Sequence, residues 1–135
     1  MAQHSSDVVI IGGAAAGSAA AYFLTKRGFK GTITIVEKDT SFQACASGRS
    51  VASVRQQFTT RENIELSSFG VRFFKSIRQE LGPEADISFR ERGYLIMASD
   101  EGRPVLEEAI TLQHSLGAAT ELLEPAEIAR RFPWL

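Results

Sequence analysis

The first clear signal along the chain is an unbroken apolar run, Val8-Val9-Ile10-Ile11, with Asp7 before it and Gly12-Gly13 after it. Such a run suits a parallel strand buried on both faces, and it predicts a strand over about Asp7 to Gly12. Ala19, Ala20, Phe23 and Leu24 then recur at helical spacing, with Gly28 just beyond them. They predict a helix over about Ala15 to Arg27, closed by a glycine C-cap. Thr32 to Glu37 is rich in β-branched residues and predicts a second strand. Asp39 to Ser53 is polar and small and predicts loop, where functional contacts concentrate.

In the second half, Leu66, Phe69, Phe73, Ile77 and Leu81 form an apolar stripe at spacings of three and four, widened by Phe74. They predict a helix over about Thr60 to Leu81 with the stripe facing a core. Thr59-Thr60-Arg61-Glu62 offers a capping box at its start, and Gly82-Pro83 ends it. Short strands are predicted over Ile87 to Arg90 and Gly93 to Ala98, joined through Glu91-Arg92, and another over Thr120 to Leu123. Helices are predicted over Pro104 to Leu116 and Pro125 to Phe132, each with proline near its first turn. No internal repeat or low-complexity linker interrupts the pattern. Strand, helix, strand and then mixed elements predict an α/β fold opening on a parallel sheet.

The turn between the first strand and helix carries the chemistry. Gly12, Gly13, Ala14, Ala15, Ala16 and Gly17 form a small-residue loop of the form G-x-A-x-x-G. Gly12 permits the tight turn, and Gly17 lets the helix pack closely on the sheet. The N–H groups of the first helical turn would point at a pyrophosphate, whose charge the helix dipole favours. Glu37 follows Gly17 by about 20 residues, the spacing at which a carboxylate accepts from a ribose hydroxyl. Together these predict a Rossmann-like dinucleotide-binding βαβ unit. Ala14 replaces the middle glycine of the fingerprint. A φ above zero there would cost alanine roughly 1–2 kcal/mol, so residue 14 is expected at ordinary helical φ in the first turn. Glu37 would repel a 2′-phosphate, but it does not separate FAD from NAD. Lys38 would sit at the adenine-ribose edge, with a solvated surface lysine as the alternative.

Composition narrows the classes. With 135 residues and a net charge of −1, the chain can build one real core and shows no footprint for nucleic acid or an anionic membrane. No apolar run approaches the ~20 residues of a membrane span. The opening residues lack the pattern of a secretory signal, so the cytoplasm is the expected compartment. Cys45 is the single cysteine, which allows no internal disulfide, and it is expected to be inert. His4 and His114 lack the ligand spacing of a metal site, so no metal is expected. The acidic pairs Glu107-Glu108 and Glu124…Glu127 read as solvated helix faces.

Asp7 to Lys38 resembles the start of FAD-dependent oxidoreductases of the D-amino-acid oxidase (DAO) superfamily. The likeness continues through Ser47-Gly48-Arg49-Ser50-Val51-Ala52-Ser53-Val54-Arg55-Gln56-Gln57-Phe58, which is similar to the segment beneath the flavin in sarcosine and dimethylglycine oxidase-like members. Gly93 to Ala98, Leu122 to Ile128 and the closing Phe132-Pro133-Trp134-Leu135 also resemble that family. Many members carry glycine where this chain has Ala14. The resemblance implies FAD as cofactor, with Ser47 and Gly48 near the diphosphate. It also implies that residues 1–135 are the N-terminal FAD-binding portion of a longer oxidoreductase. The Rossmann-like fold would then be incomplete at the C-terminus, and the substrate domain and C-terminal flavin segment would be absent. The implied reaction is oxidation of a C–N bond in an amino acid or N-methylated amine, by hydride transfer to the flavin. Such a fragment is expected to be inactive alone. Arg55 and Gln57 are candidates for the flavin neighbourhood, where a cation stabilises a reduced anionic ring. Arg55 could instead clamp a substrate carboxylate or be a plain surface residue.

Two rival readings stand beside this one. A compact NAD-binding dehydrogenase domain would need a Tyr-x-x-x-Lys pair or a His or Cys base, and neither Tyr22 nor Tyr94 fits. A non-catalytic truncated product would expose apolar surface, along Leu66 to Leu81 for example. No Ser-His-Asp, Cys-His or paired-carboxylate set is apparent, consistent with a protein whose cofactor does the redox chemistry. The amine, the electron acceptor, the mode of flavin attachment and the oligomeric state stay open.

Overall fold

A computed structural model describes residues 5–135; His4 lies outside them. The chain forms two compact units, divided after Ser53. The first contains β1 (Val8–Ile11), α1 (Ala15–Lys26) and β2 (Ile33–Val36). The strands are parallel and in register, with Val8 opposite Ile33 and Ile11 opposite Val36. A parallel pair needs a crossover, and α1 supplies it, packing on both strands. This is an α/β, Rossmann-like arrangement in the form of one βαβ unit.

Local chemistry explains the borders. α1 ends in a Schellman motif: Gly28, at φ 85°, donates to Thr25 O, and Phe29 N–H donates to Leu24 O. Asp7 closes the start of the sheet. Its Oδ2 accepts from Thr32 N–H at 2.7 Å, while the N–H groups of Asp7 and Val8 both donate to Thr32 O. Within α1, Ala19 and Ala20 are exposed, and Gly17 and Ala21 to Leu24 are the covered positions. The helix face toward the strands is therefore set by the close approach at Gly17 rather than by those alanines.

The second unit is mainly helical, with α2 (Arg61–Lys75), α3 (Ile77–Leu81), α4 (Arg103–Ser115) and α5 (Pro125–Arg131). A single 3₁₀ turn, Asp100–Gly102, precedes α4. The long helix predicted over Thr60 to Leu81 is broken at Ser76, whose φ and ψ of −99° and 15° end α2 and start α3. The capping box does not form. Thr60 is the N-cap and makes no side-chain cap bond.

The predicted stripe is also displaced. Ile64 and Ser68 are buried on α2, whereas Leu66, Phe69 and Leu81 are exposed. Ile77 alone of the stripe is buried; Ala109 and Ala118 are also buried. Polar groups help select this face: Gln56 Nε2 donates to Ser68 Oγ at 2.9 Å, and buried Gln113 Nε2 donates to Phe58 O at 2.9 Å.

The strands predicted over Ile87 to Arg90, Gly93 to Ala98 and Thr120 to Leu123 are not strands here. A strand exists only with a neighbour to pair, and none lies alongside these segments among the described residues; Tyr94 O is met instead by Gln57 Nε2 at 2.9 Å. α4 keeps its predicted end, with Gly117 at φ 78° donating to His114 O. Of the acids read as solvated, Glu107, Glu108 and Glu124 are exposed, and Glu107, Glu124 and Glu127 also carry ion-pair partners. Arg103 pairs with both Glu107 and Glu124, and Arg131 with Glu121 and Glu127. His114 is exposed, and its Nε2 lies 2.7 Å from Thr120 O. No helix among the described residues is long and apolar enough to cross a membrane.

Candidate functional site

The site is built where β1 hands over to α1. Gly12 has φ 98°, a conformation that L side chains rarely adopt, so a residue other than glycine would be strained at this corner. Its N–H donates to Val36 O at 2.8 Å, tying the corner to β2. A β-carbon on Gly17 would lie 1.8 Å from Gly12 O and 3.1 Å from Ile10 Cγ2. Only glycine lets the helix come this close to the strand.

Ala14 is the N-cap, at φ −71° and ψ −165°. Its φ is negative, as expected, but its backbone is extended, so it precedes the helix rather than forming the first turn. The N-cap preserves an open helix end. Alanine has no side chain to cap with, and the first turn of α1 holds no acidic residue. The leading N–H groups of a helix have no intrahelical acceptor, so Ala15, Ala16 and Gly17 present donors beside a positive dipole end.

Glu37, just past β2, folds back over the loop. Its Oε2 accepts from Gly13 N–H at 2.7 Å and its Oε1 from Asp39 N–H at 3.0 Å. These bonds, Asp39's first and Gly13's second, hold its carboxyl below the usual carboxylate range. Each carboxylate oxygen has a second lone pair, so Glu37 can still accept from a ligand hydroxyl. Lys38 is exposed.

The structure brings Gly12, Gly13, Ala14, Gly17 and Glu37 together, with Ala15 and Ala16 as the first helical residues. Ser47 and Gly48 lie in exposed turns of the same unit. Gly48 N–H donates to Cys45 Sγ at 3.2 Å, and a β-carbon there would sit 3.1 Å from Phe42 O. Arg55 belongs to the second unit, where its guanidinium lies over the Phe58 ring at 4.6 Å from the centroid. Among the described residues, no group of three His, Cys, Asp or Glu side chains could hold a metal ion. Two contributors escape motif reading. Ser18 Oγ donates to Gly13 O, and the Phe42 ring reaches 3.7 Å from where a Gly13 β-carbon would be. Neither has a fixed place in the fingerprint; the one available signal for Phe42 is an aromatic in an otherwise polar loop.

The family described as FAD dependent oxidoreductase (DAO) matches residues 7–135. The chain belongs to this family. Similar relatives are the FAD-dependent oxidoreductase domain-containing protein 1 of Xenopus laevis, 36% identical over 96% of this chain, and its Drosophila melanogaster homolog, 39% identical over 98%. The Bos taurus protein of the same name is 34% identical over 96% of the chain. The chain spans 28% of the length of the Xenopus relative and 26% of the Drosophila one. No solved structure matches.

FAD is the cofactor of this oxidoreductase family, and the residues present fit a dinucleotide. The uncapped helix end supplies donors for a diphosphate, the Gly12–Gly17 approach clears backbone bulk, and Glu37 is an ionised acceptor. The Ala14 methyl group narrows the cradle at one point.

Proposed function

We propose that this chain is the FAD-holding N-terminal portion of a longer oxidoreductase that oxidises a C–N bond of an amino acid or N-methylated amine. Sarcosine and dimethylglycine oxidase-like enzymes offer one functional comparison for this reading. Its cofactor-holding part is supported by the 1.8 Å approach that a Gly17 side chain would make to Gly12 O, beside a helix end left open by an alanine N-cap. An ordinary strand-turn-helix needs neither. The C–N chemistry rests on the resemblance alone.

In this reading the N–H groups of Ala15, Ala16 and Gly17 bind the diphosphate, and Gly12 and Gly13 keep the backbone thin beneath it. Glu37 accepts from the ribose hydroxyls, with Lys38 at the adenine edge. Ser47 and Gly48 add polar donors near the diphosphate. Arg55 favours negative charge on the ring system or on a substrate carboxylate. When bound, FAD supplies the hydride acceptor. The small-molecule amine is held by parts of the protein beyond these residues, so residues 1–135 alone bind cofactor without turnover.

Titration of the 135-residue chain with FAD and with NAD, followed by flavin fluorescence and calorimetry, tests this. FAD is expected to bind more tightly than NAD, and Gly17→Ala to weaken it by at least tenfold through loss of the close helix–strand approach. Tighter binding of NAD would replace the reading with a nicotinamide-dependent one. Amine oxidation by the 135-residue chain would overturn the division of labour.

A further inference from the structure

Phe42 is the aromatic residue of the loop after β2, and it sits at φ 57°. A bulky side chain at positive φ is an outlier that surrounding structure must hold in place. Two hydrogen bonds and one cleared space hold it. Phe42 N–H donates to Asp39 O at 3.1 Å, Cys45 N–H donates to Phe42 O at 3.2 Å, and Gly48 leaves room beside that same carbonyl. Asp39 is fixed in turn. Its Oδ1 accepts from Ser41 N–H at 3.0 Å and from Ser41 Oγ at 2.6 Å, while its N–H donates to Glu37 Oε1.

The turn therefore curls back on its own beginning. It starts at Glu37, which holds Gly13 N–H, and it ends with the Phe42 ring edge 3.7 Å from the β-position of Gly13. Ile35 Cγ2 and Glu37 Cβ approach the same point, at 3.3 and 3.4 Å. Gly13 is thus walled by an aliphatic side chain, the Glu37 stem and an aromatic edge, with its N–H pointed at a carboxylate. A hydrogen bond to a charged acceptor gains strength when water is kept from it.

We propose that Phe42 is a positioning residue for the ribose-binding carboxylate: its ring guards the Gly13–Glu37 hydrogen bond from water and so holds Glu37 in its binding geometry. The inference rests on reading Glu37 as the ribose acceptor. The strained backbone is the cost of bringing an aromatic ring from a short turn onto Gly13.

The test uses the 135-residue chain with Phe42→Leu, Phe42→Ala and Phe42→Gly. Two quantities are read: amide hydrogen exchange at Gly13 by NMR without cofactor, and the dissociation constant for FAD. Phe42→Ala and Phe42→Gly are expected to speed Gly13 exchange by roughly tenfold, as local opening becomes easier, and to weaken FAD in parallel. Phe42→Leu, which keeps apolar bulk, stays within about threefold of the parent. Glycine accepts the positive φ without strain, so a residue that merely shaped the turn would leave Phe42→Gly at the parent's values. Slow, parent-like Gly13 exchange in Phe42→Gly overturns the proposal, and it does so even where Phe42→Ala fails to fold. Absence of FAD binding by the parent chain would count against the cofactor reading instead, while the exchange comparison still decides whether Phe42 guards the bond.

Discussion

At residue 14, the demands of helix stability and of ligand binding oppose one another. Alanine is a poor N-cap, and serine in its place accepts from an N–H of the first turn, adding about 1 kcal/mol to a helix. That same N–H is the donor a diphosphate would use. Ala14→Ser is therefore expected to raise the thermal midpoint of the chain and to weaken FAD several-fold; a melt and a titration on one preparation check both, and tighter FAD would refute the competition. Glu37 gives a second residue-scale prediction. Its carboxyl is held below the ordinary value of 4.5 in the folded chain. Its contribution is complete above that unfolded value and is lost as pH falls through the lower folded one. Glu37→Gln should thus remove part of the acid-induced loss of stability between those values, measured by melts across a pH series. The fingerprint glycines and Glu37 were legible in the sequence because each has a fixed place in a local motif. Phe42 was not, since a loop has no period from which the direction of a ring can be read.

Among the elements, α2 shows what periodicity leaves undecided. Leu66, Phe69 and Phe73 recur correctly for a helix, and the helix is there, but the face turned inward is the one with Ile64 and Ser68. The two faces lie on opposite sides of this helix, and the inward one pairs an isoleucine with a serine, so hydrophobic period alone does not select it. The choice between them falls to partners distant in sequence, Gln56 on Ser68 among them. Ile64 is 0% exposed and Leu66 68%, so Ile64→Ala should cost about 2–5 kcal/mol and Leu66→Ala no more than about 0.5 kcal/mol, as read from denaturant midpoints. Equal costs would show that the predicted stripe, and not the observed face, makes the core. The same dependence on distant partners explains the missing strands. Gly93 to Ala98 has strand composition, but strand hydrogen bonds come from a neighbour, and composition cannot supply one. The helix ends at Gly28 and Gly117 were readable because a C-cap is a local event.

For the molecule as a whole, the first unit carries the consequence of a two-stranded parallel sheet. Ile10 faces α1, since its Cγ2 lies 3.1 Å from the β-position of Gly17. Alternation along the strand then turns Val9 and Ile11 the other way, and they are 58% and 90% exposed, with Val36 at 52%. Parallel sheets are ordinarily covered on both faces. The relatives are more than three times as long as the segment they share with this chain, which is ample length to cover such a face. Among the described residues that face is open to solvent, next to an unpaired strand edge of the kind that recruits other chains. The chain should therefore bind an apolar dye and associate with itself as its concentration rises, seen by fluorescence and by sedimentation. Val9→Lys puts a charge on the open face, one position away from Ile10 and clear of the glycine loop. It should reduce both signals while leaving FAD affinity within about twofold, because exposed substitutions away from a site change little. Dye binding that persists unchanged in Val9→Lys would move the responsible surface to the second unit, where Leu66 and Phe69 are the exposed apolar candidates.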